Sequence, residues 1–146
     1  MKKLVIFAVL CLCFAANAQG KCQYSDDDID VEDGRIVLVS TGKPVNGVVC
    51  TYHDNGKTEY EGTVKNGKLE GVLKLYYESG KLEAEIPYKN NKREGYGQRY
   101  NGNGVVWSKV LYRNDEAVSG ACANGRTFTN DDLADWEDDW DDIDCD

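Results

Sequence analysis

GVVCTYHDNGKTEYEGTVKNGKLE (residues 47–70), GVLKLYYESGKLEAEIPYKNNKRE (71–94) and GYGQRYNGNGVVWSKVLYRNDEAV (95–118) are one unit written three times at a spacing of 24 residues. A fixed period means that one small supersecondary unit is stacked on its neighbours. Gly47, Gly71 and Gly95 open the units, and Tyr52, Tyr76 and Tyr100 follow five residues later. Gly56, Gly80 and Gly104 then sit in the turn-like settings DNGK, ESGK and GNGV. Glycine and asparagine tolerate the positive φ that tight hairpin turns need. A second turn follows in each unit: KNGK at 65–68, KNNK at 89–92 and RNDE at 113–116. Each unit therefore reads as two strands and two turns, joined into a meander.

The second strand of each unit alternates with period two. Thr58, Tyr60, Gly62 and Val64, then Leu82, Ala84, Ile86 and Tyr88, then Val106, Ser108, Val110 and Tyr112 form a face to be buried. Lysines and glutamates, among them Lys57, Glu59, Glu61 and Lys65, fill the wet face of the first unit. The third unit breaks this rule, because its outward positions carry Val105, Trp107 and Leu111 with Lys109 and Arg113. Such apolar surface calls for a cover. The Tyr52, Tyr76 and Tyr100 column recurs at the repeat period, where residues usually build the internal ladder between units, and it is expected in the core.

The Tyr-x(3)-Gly-Lys core (Tyr52 to Lys57, Tyr76 to Lys81), the Lys-Asn turn and the glycine opening each unit resemble the MORN-repeat family, and more closely its bacterial YwqK-type antitoxin variant. The resemblance covers about half the chain. It implies an all-β fold, a meander of stacked hairpins in a single sheet. It also implies contact with a protein or a membrane more often than catalysis, and, by the antitoxin label, inhibition of a partner protein.

Around residues 47–120 lie three other segments. Residues 1–18 read as a cleaved signal peptide: Lys2 and Lys3, an apolar run from Leu4 to Ala16, and an Ala16-Asn17-Ala18 site placing the mature start at Gln19. The run is too short to span a bilayer, and no later stretch is apolar enough to do so. Export to the periplasm or outside the cell is expected. Loss of Lys2 and Lys3 moves the net charge from −9 to −11, which argues against nucleic acid or anionic lipid as partner. The six cysteines become four, read as two disulfides, Cys22–Cys50 and Cys122–Cys145, by closeness in sequence and the need to tie the acidic ends to the sheet. Sequence alone allows three pairings of four cysteines.

Residues 19–46 combine an acidic run, Asp26 to Asp33, with a divergent capping hairpin. Asp28, Asp30 and Glu32 alternate as calcium ligands would, yet Asp33 stands where the calcium loop needs glycine, so the run reads as a solvated segment. Residues 121–146 hold a partial fourth unit and an acidic tail. Ten carboxylates between 130 and 146 are threaded by Leu133, Trp136, Trp140 and Ile143, a helical stripe preceded by a Thr129/Asp132 capping pair. A short helix packing on Val105, Trp107 and Leu111 is expected there.

No catalytic constellation emerges. His53 beside Asp54 abuts a turn and lacks a nucleophile. The pairs Glu59/Glu61 and Glu83/Glu85 sit among lysines, with nothing to separate their pKa values. There is no CxxC spacing and His53 is the lone histidine, so neither a metal nor another cofactor is expected. The sequence points to an exported, non-enzymatic module for a partner protein or cell-envelope component. The alternatives are a calcium- or glycan-binding module, an enzyme using the acidic termini, or an antitoxin-like inhibitor. The oligomeric state is left open.

Overall fold

A computed structural model describes residues 22–129 together with Asp132 and Cys145. The fold is all-β. After a 3-10 turn at Asp26–Asp28, strands β1 (Ile29–Glu32) and β2 (Arg35–Leu38) form a separate hairpin. The acidic run is thus partly ordered. Ser25 donates to the Asp28 carboxylate from both its N–H and its hydroxyl, each at 2.9 Å. These hydrogen bonds hold the Asp28 carboxyl below the usual carboxylate range.

The three units follow as β3 (Gly47–Tyr52) and β4 (Thr58–Lys65), β6 (Gly71–Tyr76) and β7 (Leu82–Lys89), and β9 (Gly95–Tyr100) and β10 (Val106–Arg113). Short pieces β5 (Lys68–Leu69) and β8 (Lys92–Arg93) precede β6 and β9. Strands β11 (Glu116–Cys122) and β12 (Thr127–Thr129) form the partial fourth unit. Among the described residues, ten strands make one antiparallel sheet in the order β12-β11-β10-β9-β7-β6-β4-β3, with β5 on β4 and β8 on β7. The expected helix falls on residues 130–146, outside the described residues except for Asp132 and Cys145.

Both turn families are as the sequence demands. Asn66–Gly67, Asn90–Asn91 and Asn114–Asp115 have positive φ at both central positions. That conformation matches strand twist in two-residue hairpin loops and suits Asn, Asp and Gly. The other turn is a five-residue loop closed alike each time: His53 N–H to Lys57 O, Tyr77 to Lys81, Asn101 to Val105 and Cys122 to Arg126, at 2.8–2.9 Å.

The inner face is the one the alternation marked. Val64, Ala84, Ile86, Ser108, Val110 and Tyr112 are buried, and Cys122, Phe128 and Cys145 extend that core over the fourth unit. Both expected cysteine pairs form: Cys22–Cys50 with Cα atoms 5.7 Å apart and Cys122–Cys145 with 5.5 Å.

Two expectations change. Register shifts place one extra residue in each unit's second strand: Glu59, Glu83 and Trp107, again 24 apart. Such a bulge breaks strict alternation. It turns Trp107 away from Leu111, under the Arg99 guanidinium at 5.3 Å and against the buried cluster of Val110, Tyr112, Cys122 and Cys145. The tyrosine column lies on the charged outer face rather than in the core: Tyr52 is 44% exposed, and the Tyr100 hydroxyl donates to Glu85 at 2.8 Å.

Candidate interaction faces

The sheet register sorts the outer face into rows that cross the strands. The first holds Tyr52, Tyr76 and Tyr100, one per unit. Burial first, then the Glu61 and Glu85 carboxylates, push the Tyr76 hydroxyl above its usual range. Burial first, then the hydrogen bond to Glu85, does the same for Tyr100. The second row alternates in charge, because Glu61 stands opposite Lys74, Lys74 opposite Glu85, Glu85 opposite Gln98 and Gln98 opposite Lys109. Opposed charges of this kind stabilise a strand pair by roughly 0.2–1 kcal/mol. The third row is apolar: Val72 faces Pro87 and Tyr96 faces Leu111. Leu111 is half-buried, whereas Val72 is 46% and Tyr96 66% exposed. Val105 is exposed at the opposite end of β10, in the loop beside Tyr100.

The inner face carries a groove of about 500 Å³ on units one to three. Leu73, Leu75 and Ile86 form its floor, Tyr60 and Tyr88 stand along it, and Asn91, Arg93 and Asp115 close one end. The polar end is tightly organised. Asp115 accepts the Arg93 N–H at 2.7 Å, the Arg93 guanidinium donates to the Asp115 carbonyl at 2.8 Å, and Arg93 lies 4.7 Å over the Tyr112 ring. Deeper on the same face, buried Arg99 reaches Glu83 at 3.3 Å and lies over Trp107.

His53, raised as a catalytic candidate, holds the stack together instead, as do other side chains of the same loops. His53 Nε2 donates to the Tyr76 carbonyl at 2.7 Å, and the Tyr77 hydroxyl donates to that of Tyr100 at 2.7 Å. Lys57 and Lys81, the lysines of the repeated Gly-Lys, donate to Ser79 O at 2.9 Å and Gly102 O at 2.6 Å, each one unit on. Asn55 Nδ2 donates likewise to Glu78 O at 2.9 Å. The inter-unit role of these side chains was missed in the sequence, although their recurrence signalled it. Glu59 and Glu61 do not converge: Glu59 accepts from the Thr51 hydroxyl, and Glu61 faces Lys74. Among the described residues, no three metal-ligating side chains cluster, and no helix is long and apolar enough to cross a membrane.

Of the interaction candidates, Leu111 lies toward the outer face, Trp107 toward the inner one, and Val105 is exposed in the 101–105 loop. Leu133, Trp136, Trp140 and Ile143 lie outside the described residues. Cys145, however, ends that segment within the inner-face core, and the Asn124 side chain donates to its carbonyl at 2.7 Å. Asn124 occupies in the fourth loop the place of Asn55 in the first, so Cys145 O accepts as Glu78 O does.

No curated protein matches the chain. Among solved structures, the crystal structure of TarM is similar over 70% of this chain and 21% of that one, at 12% identity and a TM-score of 0.33. The chain therefore spans about a fifth of TarM's length. Residues 45–66, 69–90 and 93–114 each match the family model described as a MORN repeat variant, in the 24-residue register of the hairpins, so the centre of the sheet is similar to three MORN-variant repeats in series.

Proposed function

We propose that this protein is an exported, non-enzymatic scaffold that binds a partner protein of the cell envelope with the outer face of its sheet. The observation that carries the reading is the apolar row Val72, Pro87, Tyr96 and Leu111, which is set beside the alternating Glu/Lys row. Exposed apolar surface rimmed by polar residues is typical of protein interaction sites. MORN repeats commonly serve as protein- or membrane-binding modules, and the acidic net charge disfavours an anionic bilayer. The two disulfides fit an oxidising compartment. An antitoxin-like inhibitor is one form of the same reading, with the partner as its target.

The test is a photo-crosslinking amino acid placed at position 72, 96 or 111 of the exported chain, with position 43, on the N-terminal segment, as control. The same adduct from the three outer positions, absent at position 43, is expected. Absence of adduct from all three, or equal labelling from position 43, overturns the reading. Intact mass of the exported chain tests the export itself, since a chain retaining residues 1–18 is not processed as proposed.

A second reading rests on the tyrosines. One ring per unit along the outer face, on alternate strands and about 10 Å apart, offers stacking sites to an extended glycan. Quenching of tyrosine fluorescence by soluble envelope glycans, lost in Tyr52→Ala and Tyr76→Ala, is the result expected of it.

A further inference from the structure

We infer that the free edge of β1 takes an extended segment of a partner polypeptide as an added strand, one in which basic and apolar side chains alternate. Among the described residues β1 pairs with β2 alone, in the register Ile29↔Leu38 to Glu32↔Arg35. Val39 N–H donates to Asp28 O, so the β1 residues that exchange backbone hydrogen bonds with β2 are Asp30 and Glu32. Ile29 and Val31 therefore turn their backbone N–H and C=O groups outward. Strand β2 keeps the same phase, for on its far side Ile36 N–H donates to Gly67 O, Val45 N–H to Ile36 O and Leu38 N–H to Lys43 O. That side of the hairpin is closed and the β1 side is open, with residues 30–34 all exposed. Outward backbone groups on an edge strand are a template for one more strand.

Side chains select the occupant. One face of the hairpin carries Ile29, Val31, Ile36 and Leu38, and Val31 is 66% exposed. The other face of β1 carries Asp30 and Glu32, preceded in the chain by Asp26, Asp27 and Asp28. The period of two continues into an added strand. Its residues opposite Ile29 and Val31 widen the apolar face, and those opposite Asp30 and Glu32 meet carboxylates. Like charges directly opposite are destabilising. A second copy of β1 is thereby disfavoured, and so is the chain's own C-terminal segment, which has ten carboxylates and no lysine or arginine between 130 and 146. Lysine or arginine at alternate positions is complementary. Past the start of β1 a cavity of about 280 Å³ is lined by Tyr24, Asp27, Asp28, Leu38, Val39 and Ser40. A long cationic side chain fits it, with the stem on Leu38 and Val39 and the head at the two carboxylates. In the unbound chain Val31 N–H donates to the Asp30 carboxylate at 2.7 Å, so the edge is capped by its own charge. An arriving strand supplies a carbonyl to that N–H and a cation to the released carboxylate. The outer rows belong to the main sheet and β1 to a separate hairpin, so binding at one does not require binding at the other.

The experiment titrates the full oxidised chain with three synthetic peptides: the alternating KVRVKVRV, the blocked KKRRVVVV of the same composition, and the acidic EVDVEVDV. Fluorescence anisotropy of the labelled peptide reads affinity, and amide hydrogen exchange reads position. KVRVKVRV is expected to bind saturably and to slow exchange at the Ile29 and Val31 amides, with Thr127–Thr129 on the β12 edge unchanged. Val31→Pro removes an N–H that β2 does not use, and it is expected to weaken binding about tenfold, as the loss of one hydrogen bond does. Asp30→Lys combined with Glu32→Lys is expected to abolish binding of KVRVKVRV. Equal binding of KKRRVVVV would mean attraction by charge alone and would overturn the inference. Binding of EVDVEVDV as tight as that of KVRVKVRV, slowed exchange that leaves Ile29 and Val31 out, or no saturable binding would overturn it too.

Discussion

Replacing Ser108 by alanine should make the protein more stable. Ser108 is fully buried on β10, and its Oγ finds no hydrogen-bond partner among the described residues. One unit earlier the same column holds Ala84, also buried at 2% exposure. The fold therefore already accommodates a methyl group at this place, on a strand with the same pairing. An unpaired buried hydroxyl costs about 1–3 kcal/mol. Removing one oxygen leaves a void smaller than a methyl group, at a cost of a few tenths of that by the scale of core truncations, about 24 cal/mol per Å³. The net gain is about 1 kcal/mol. For a domain of this size that raises Tm by about 4 °C, and with a urea m-value near 1.5 kcal/mol/M it moves the midpoint by about 0.7 M. The assay is equilibrium urea unfolding of the oxidised protein, followed by tryptophan fluorescence and far-ultraviolet circular dichroism together. An unchanged slope with a higher midpoint is the expected result. A midpoint at or below that of the parent would refute the reasoning, since it would mean that the hydroxyl is satisfied and contributes to the fold.

Reduction should weaken the protein at both ends. Cross-links separated by 28 and 23 residues each remove about 3.5 kcal/mol of unfolded-chain entropy on the loop-closure model, and dithiothreitol should lower the urea midpoint accordingly; an unchanged midpoint in the fully reduced protein would contradict this. Alkaline pH should also destabilise the sheet through Tyr76 and Tyr100. Both hydroxyls are held above their ordinary value of 10.0, so the folded state keeps protons that the unfolded chain releases. Their contribution is fully present below pH 10 and is lost as pH rises through the folded values. Absorbance at 295 nm should show late-ionising tyrosines, and Tyr76→Phe with Tyr100→Phe should flatten the alkaline fall; a fall of the same steepness in the double variant would assign the loss elsewhere.

The strands and turns were legible because two local rules coincide. Period-two alternation marked Val64, Ala84, Ile86, Val110 and Tyr112, and those side chains are buried. Asn-Gly, Asn-Asn and Asn-Asp pairs marked the places where φ is positive. What escaped has a physical reason in each case. The bulge residues Glu59, Glu83 and Trp107 carry no glycine or proline signal, yet one extra residue reverses the faces beyond it, and so Trp107 points inward and the tyrosine column outward. In the N-terminal segment Ile29 and Val31 alternate with Asp30 and Glu32, a strand pattern hidden by the density of charge. Pairing of Tyr24 beside Val49 is non-local, with Cys50 N–H donating to Tyr24 O at 2.9 Å, and no window of sequence contains both partners. The outer apolar row was half legible: Leu111 stood out in its own strand, but Val72, Pro87 and Tyr96 become a row only when the register aligns four strands.

An open stack of hairpins has two exposed edges, and unpaired edges invite the addition of further chains. Each end of this chain meets the problem in its own way. At β3, residues 23–24 pair along the outer edge and the Cys22–Cys50 bridge fixes them there. The β1–β2 hairpin is held over the neighbouring loops by Ile36 N–H on Gly67 O and by the Asn91 side chain on Gly34 O, both at 2.8 Å. At the other end the lysine that ties one loop to the next is replaced by Val105, and Asn101 turns back to its own loop, accepting from Asn103 and Val105. The fourth loop then passes its asparagine to Cys145 rather than to another repeat. The side chains that propagate the stack thus stop at the third unit, and the disulfides stand where propagation ends. At β3 the edge is taken by residues 23–24, so the partner surface proposed above is sought on the outer rows of the face rather than along that edge.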